Sequence, residues 1–253
     1  GYCSARGLKV GVVSRGYGRT CRGVRVVSDG RTLLTDARTG GDEPVQIAAR
    51  FPAAIVVVAE RRVDAARIAV RELGATILIM DDGFQHRYLH RDLNVVVVNG
   101  ERDVRRESLL PRGRRREPLS ALRRAGFLVF SRAADVHTVE EAARTVAPWY
   151  RGPVAGMAYV PDRLGTMEGA AVDPALLRQG TGFAFCGVGD PDGFLATLKE
   201  MGIRIAGHAW FPDHHRFTAD EIREVRTRAA EQGASFLITT EKDFTRLRFP
   251  AGP

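Results

Sequence analysis

Lysine is almost missing from this 253-residue chain: of its 38 basic residues only Lys9, Lys199 and Lys242 are lysines, and the rest are arginines. Cysteine is scarce as well. Cys3, Cys21 and Cys186 are widely spaced and form no CxxC pair, which excludes a disulfide framework and a zinc site. That usage fits a reducing, cytoplasmic compartment. No apolar run approaches the roughly 18 residues that span a bilayer. Gly1–Arg6 holds neither a signal-peptide core nor a starting methionine, so the opening residues read as interior to a longer sequence. Aromatics make up 8% of the chain, and few of them interleave with the scattered arginines. No nucleic-acid-binding motif accompanies them, so nucleic acid is not an expected partner.

What is present is the balance of a globular protein, 44% hydrophobic and 27% charged, with a formal net charge of +8. A basic surface suits phosphorylated partners or an anionic membrane. A bias toward arginine codons would give the same count without function.

Short apolar runs recur, each followed by a polar or glycine turn: Lys9–Val13, Ala54–Ala59, Thr76–Met80, Val95–Val98, Phe127–Phe130, Phe183–Cys186 and Phe236–Ile238. Continuous apolar runs of this length suit strands buried on both faces of a parallel sheet. Between them the pattern predicts helices over Glu43–Arg50, Asp64–Leu73, Leu119–Arg124, Val139–Val146, Gly193–Met201 and Ala219–Gln232. Thr218 with Glu221 three residues on predicts a capping box for the last helix. The alternation predicts a layered α/β fold. Gly100–Arg116 reads as a long charged loop. Pro148–Gly182, rich in proline and glycine, reads as a connector containing a β-ribbon. The expected division is a larger α/β domain over residues 1–152, a ribbon over 153–181 and a smaller α/β domain over 182–253.

In open α/β sheets, ligands sit beyond the carboxyl ends of the strands. After the first run comes Ser14-Arg15-Gly16-Tyr17-Gly18-Arg19, where glycines admit a ligand and arginines can bind phosphate; a plain turn fits the same residues. After the third run comes Asp81-Asp82-Gly83-Phe84-Gln85-His86. An apolar strand ending in aspartate is the Walker B pattern, whose carboxylate helps to hold Mg²⁺. Adjacent aspartates point opposite ways, so one of the two is expected to reach the metal directly. Gly41-Asp42-Glu43-Pro44 opens a helix, and Asp42 reads either as part of a helix start or as a general base. Phe211-Pro212-Asp213-His214-His215 offers two histidines that cannot face the same way, so a chelating pair is not expected. Thr239-Thr240-Glu241-Lys242-Asp243 reads as a polar strand end.

These strings in this order, together with Arg116-Glu117-Pro118 in the loop, resemble the tetraacyldisaccharide 4'-kinase family from Arg6 to about Leu247. The resemblance implies a P-loop-kinase-like parallel-sheet domain and a smaller α/β domain joined by a β-ribbon, with the active site in the cleft between them. It implies transfer of the γ-phosphate of ATP to the 4'-hydroxyl of an acylated glucosamine disaccharide, with Mg²⁺, at the cytoplasmic face of the bacterial inner membrane. The expected partners are the lipid substrate and the anionic membrane surface; no protein partner is expected. Asp42 resembles the catalytic aspartate, paired with His214 or His215. Asp81 and Asp82 are the expected metal ligands. Ser14, Arg15, Gly16, Arg62, Gln85 and His86 are expected at the nucleotide, and Arg116 and Glu117 at the phosphates or substrate.

The family's Walker A segment, GGTGKTP, is expected some thirty residues ahead of Val13, and these 253 residues contain no Gly-Lys pair. The chain as given is therefore expected to be inactive, and a lipid-binding remnant is the alternative. The run Arg112-Gly113-Arg114-Arg115-Arg116 is also more basic than the stretch that it resembles.

Overall fold

The computed structural model describes residues 1–161 and 163–248 of the chain. They fall into two compact units, Gly1–Asp81 together with the described residues from Pro161 on, and Asp82–Val160.

The first unit holds two sheets. In the first, β1 (Val10–Ser14), β2 (Arg25–Asp29), β3 (Ile55–Val58) and β4 (Ile77–Met80) stand in the order β2-β3-β1-β4. β1 pairs parallel with β3 and β4, and β2 closes the far edge antiparallel. Every residue of β1 and β3 is buried, as their unbroken apolar runs require of a sheet covered on both faces. The short helix α1 (Ala37–Gly40), α2 (Asp42–Arg50) and α3 (Arg62–Arg71) follow. Val45 and Ala48 of α2 pack against Val12, Val27, Val56 and Val58. β2 was not predicted, since Arg25 to Asp29 brackets only two valines with polar residues.

After the two-stranded ribbon of β8 (Leu164–Gly165) and β9 (Ala171–Val172), and the short helix α5 (Pro174–Gln179), comes the second sheet. It consists of β10 (Thr181–Cys186), β11 (Arg204–Trp210) and β12 (Phe236–Ile238), all parallel, in the order β11-β10-β12. α6 (Pro191–Glu200), α7 (Ala219–Glu231) and α8 (Glu241–Arg248) complete the unit. The capping box on α7 forms as read: the Thr218 side chain accepts from the Glu221 N–H, and the Glu221 carboxylate accepts from the Thr218 N–H. β11 escaped prediction because Gly207 and His208 break its apolar pattern. α8 escaped it because Thr240 to Asp243 looked like the tail of a strand rather than the start of a helix.

The second unit is built on β5 (Val95–Asn99), β6 (Phe127–Ser131) and β7 (Val154–Met157), parallel and in that order. α4 (Val136–Val146) joins a core around Leu128, Phe130, Val146 and Tyr150. Leu119–Arg124 is a 3-10 turn, not the expected helix. Arg102 to Arg116 is without regular structure apart from a bridge between Leu109 and Arg115. The α/β class is as expected, but the compact units do not divide at residues 152 and 182. Val154–Met157, read as part of the connector, pairs with β6 as an edge strand of the second unit's sheet.

Candidate active site

Asp42 stands at the head of α2, directly after Gly41, whose φ of 92° is a backbone state that favours glycine. Space demands glycine there too: a Cβ on Gly41 would lie 3.0 Å from the Gly16 Cα, and one on Gly16 would lie 2.9 Å from the Gly40 carbonyl oxygen. The turn after β1 and the start of α2 thus touch backbone to backbone. On the other side of that turn the Ser14 hydroxyl donates to Asp81 Oδ2 at 3.0 Å, and Gly16 N–H points at the Ser14 oxygen at 3.5 Å. One run of contacts in the first unit therefore leads from Asp81 through Ser14 and Gly16 to Gly41 and Asp42.

The two histidines separate. Asp42 Oδ2 lies 3.2 Å from His214 Nδ1 and accepts from Arg246 Nε at 2.8 Å. His215 turns away to Glu221, Nε2 to Oε1 at 3.0 Å, and stacks on Phe211 with ring centroids 4.8 Å apart. His214 adopts a φ of 62°, uncommon outside glycine. Its N–H is held by the Gly187 carbonyl at 3.1 Å and by Asp213 Oδ1 at 2.9 Å. Glu221, bonded first by the Thr218 N–H and then by His215, is held below the usual carboxylate range. His215 thus serves the start of α7, and His214 meets Asp42.

Lys242 Nζ lies 3.5 Å from His214 Nε2, 3.5 Å from Asp213 Oδ1 and 3.7 Å from Glu43 Oε1. Neutral imidazole carries one proton, and ammonium and guanidinium groups only donate. The assignment that satisfies most partners puts the proton on Nδ1, donated to Asp42, and leaves Nε2 to accept from Lys242.

The other predicted residues lie as follows. Arg15 is exposed in the turn after β1, whereas Arg19 is committed to Glu60 and the Gly23 carbonyl, each at 2.7 Å. Arg62 is buried at the start of α3, with Nη1 donating to the Glu60 carbonyl at 3.2 Å. In the second unit Asp82, at a φ of 47°, takes Arg116 Nη1 on both oxygens at 2.5 and 2.6 Å. Glu117 accepts from Arg124 Nη2 at 2.8 Å and from Gln85 Nε2 at 3.2 Å. Arg124 lies over the Phe84 ring, and the His86 ring stands edge-on to Tyr88. The adjacent aspartates do point to different partners, Ser14 and Arg116. Among the described residues no three His, Cys, Asp or Glu side chains gather as a metal cluster. The donors beside Asp81 are a carboxylate and a hydroxyl, hard oxygens that suit Mg²⁺, an ion that keeps most of its waters.

Sequence reading missed Arg246. It lies three residues after Asp243, the i,i+3 spacing that puts both on one face of a helix. That signal was available once Glu241–Arg248 was known to be helical.

A parallel strand followed by Asp81, and a helix-opening Asp42 bonded by a histidine and an arginine, define an α/β protein with the groups of a phosphoryl-transfer enzyme. The family model described as tetraacyldisaccharide-1-P 4'-kinase matches residues 1–252, and the chain belongs to that family. It is 38% identical to a tetraacyldisaccharide 4'-kinase of Chlorobium limicola, over 97% of this chain and 70% of that protein. With the tetraacyldisaccharide 4'-kinase of Anaeromyxobacter dehalogenans it shares 44% identity, over 96% of this chain and 65% of the relative. The chain thus spans about two thirds of the length of these relatives. Among solved structures it is similar to LpxK from Aquifex aeolicus in complex with ATP, at a TM-score of 0.75 and 31% identity, over 98% of this chain and 73% of that one. No helix among the described residues is long and apolar enough to cross a membrane.

Proposed function

We propose that these residues form the catalytic part of a kinase that moves the γ-phosphate of ATP to the 4'-hydroxyl of a tetraacylated glucosamine disaccharide 1-phosphate, a step of lipid A synthesis. The observation that carries this reading is the bonding of Asp42. His214 and Arg246 both meet Oδ2, while the side chain stays 15% exposed. Oδ1 is then the oxygen left to take a proton. Asp42 accepts the hydroxyl proton there as the 4'-oxygen forms its bond to the γ-phosphorus and the bond to the ADP oxygen breaks. His214, with Nδ1–H on Oδ2, orients the carboxylate.

Asp81, with Ser14 beside it, would hold Mg²⁺, which when bound offsets charge on the transferred group. Arg15 and the backbone of the turn around Gly16 would meet the phosphates. Arg62, Gln85, His86, Arg116 and Glu117 are assigned to the nucleotide or substrate by resemblance, and Arg116 and Glu117 would exchange their present ionic partners for it. A net charge of +8 supports peripheral action on the anionic cytoplasmic face of the inner membrane.

The test joins these residues to a Walker A segment and follows label from γ-labelled ATP into the disaccharide lipid. Transfer is expected, and Asp42→Ala should lower it by about 10²–10⁴-fold. A variant that turns over like the parent would overturn the assignment. The 253 residues alone, which hold no Gly-Lys pair, are expected to transfer none.

A further inference from the structure

Arg246 is a buried and heavily bonded side chain of the first unit. It is 3% exposed and donates to three groups: Asp42 Oδ2 from Nε at 2.8 Å, Asp243 Oδ1 from Nη1 at 2.8 Å and the Gly187 carbonyl from Nη1 at 2.9 Å; its Nη2 also lies 3.2 Å from His214 Nδ1. Asp243, fully buried, is itself fixed: its Oδ2 accepts from Gly187 N–H at 3.1 Å and from the Thr240 hydroxyl at 2.7 Å. One guanidinium therefore ties the start of α2 to the end of β10, the His214 turn and its own helix α8.

Stability alone does not explain such a group. A buried charge network loses in desolvation much of what it gains in attraction, and apolar replacements of similar volume are often as stable. What a planar fork supplies that an apolar side chain cannot is direction, with several donors at fixed angles. Here the direction is specific. Nε takes the same carboxylate oxygen that His214 meets, so Asp42 is held by two donors on one oxygen and presents the other.

We infer that Arg246, backed by Asp243, is a positioning residue for the Asp42–His214 pair: it fixes the rotation of the Asp42 carboxylate and the placing of the His214 ring against it. The inference rests on the reading of Asp42 and His214 as the reacting pair. Without the Nε donor the carboxylate is free to rotate, and Nδ1 of His214 loses a fixed acceptor. The remaining groups facing the pair are Glu43 from α2, Asp213 from the turn, Lys242 from α8 and the Tyr17 ring, whose centroid lies 5.8 Å from that of His214. Lys242 favours an unprotonated Nε2, whereas Arg246 Nη2, a donor 3.2 Å from Nδ1, favours an unprotonated Nδ1; removing Arg246 withdraws that donor together with the one that holds Asp42, which sets a partial shift of the ring-nitrogen resonances as the expected result.

The experiment has two arms. In the 253-residue chain with ¹⁵N-labelled histidine, ring-nitrogen resonances report each tautomer. The parent should show one set of His214 ring-nitrogen resonances, and Arg246→Gln, which removes both the Nε donor to Asp42 and the Nη2 donor beside Nδ1, should shift the Nδ1 resonance. His215, tied to Glu221, should not move, which makes it an internal control for folding. If Arg246→Gln disturbs His215 as well, Arg246→Lys carries the same readout, since it keeps the charge and loses the fork. An unchanged His214 in a folded variant overturns the inference. In the second arm, with a Walker A segment in place, kcat should fall by up to about 100-fold with KM for ATP within about twofold, and Arg246→Lys should recover only part of kcat. A fall confined to KM also overturns the inference. Absence of kinase activity in the parent itself would count against the proposed function, while the tautomer arm would still decide the role of Arg246.

Discussion

Two charge clusters, one in each compact unit, are built in opposite ways. In the first, Asp42, Asp243 and Arg246 are 15%, 0% and 3% exposed, and Arg246 joins its near neighbour Asp243 to Asp42, 204 residues away. In the second, Asp82 and Arg116 are 56% and 55% exposed, and Asp103 pairs with its near neighbours Arg105 and Arg106. The lesson concerns what a charge pair is for. An exposed pair is screened by water and salt and contributes little to position or stability. A buried network holds atoms in place at a cost in desolvation, a cost that makes sense where geometry is needed.

The sharpest way to break this comparison is a double-mutant cycle on the buried side, in a protein that carries a Walker A segment. Asp42→Ala and His214→Ala should each cost about 10²–10⁴-fold in turnover, and the double variant little more than the worse single one, because residues that act as a unit are not additive. His215→Ala combined with Asp42→Ala should instead multiply, since His215 serves the α7 cap. Multiplying losses for the His214 pair would mean that the buried contact does not couple the two residues.

A smaller effect is expected on the exposed side. Arg116→Ala should change unfolding free energy by no more than about 1 kcal/mol, measured by denaturant titration of the chain. A loss of several kcal/mol would place this surface pair in the same class as the buried one. Any larger consequence should appear only in assays containing nucleotide or lipid.

The smallest effect is local. A hydrogen bond from the Arg105 side chain, followed by the Arg105 N–H, holds the Asp103 carboxyl down to about 2. A carboxyl lowered in the folded state stabilises it above the unfolded value near 3.9, and that contribution disappears as pH falls through about 2. Arg105→Gln should raise the Asp103 midpoint, read from its carboxyl ¹³C shift. Because the Asp103 pair joins near neighbours in an irregular loop, the acid unfolding of the chain should hardly move, and a large shift there would contradict the contrast drawn between the two clusters.

Much of the fold was legible because its strands are continuous apolar runs. Val10 to Val13 and Ile55 to Val58 can be little else in an α/β chain. The strands that escaped, β2 and β11, are interrupted by polar residues or glycine, so burial that comes only from neighbours decided them. At the site, Asp42, Asp81 and the Asp-His-His string stood out because each follows a strand or opens a helix. The choice between His214 and His215 was not legible. Adjacent residues of one type differ only in the direction that the backbone gives them, and the φ of 62° at His214 is a tertiary outcome.

By itself, then, the sequence determined the α/β class, the alternation of strands and helices, the capping box on α7 and the segments that carry chemistry. These depend on local pattern, where apolar spacing and capping side chains act within a few residues. Only the tertiary structure decided which charges are buried together. Asp42 and Arg246 are 204 residues apart, and no local pattern records that their helices meet. The energy that aligns a guanidinium with a distant carboxylate exists only after the intervening sheets have packed.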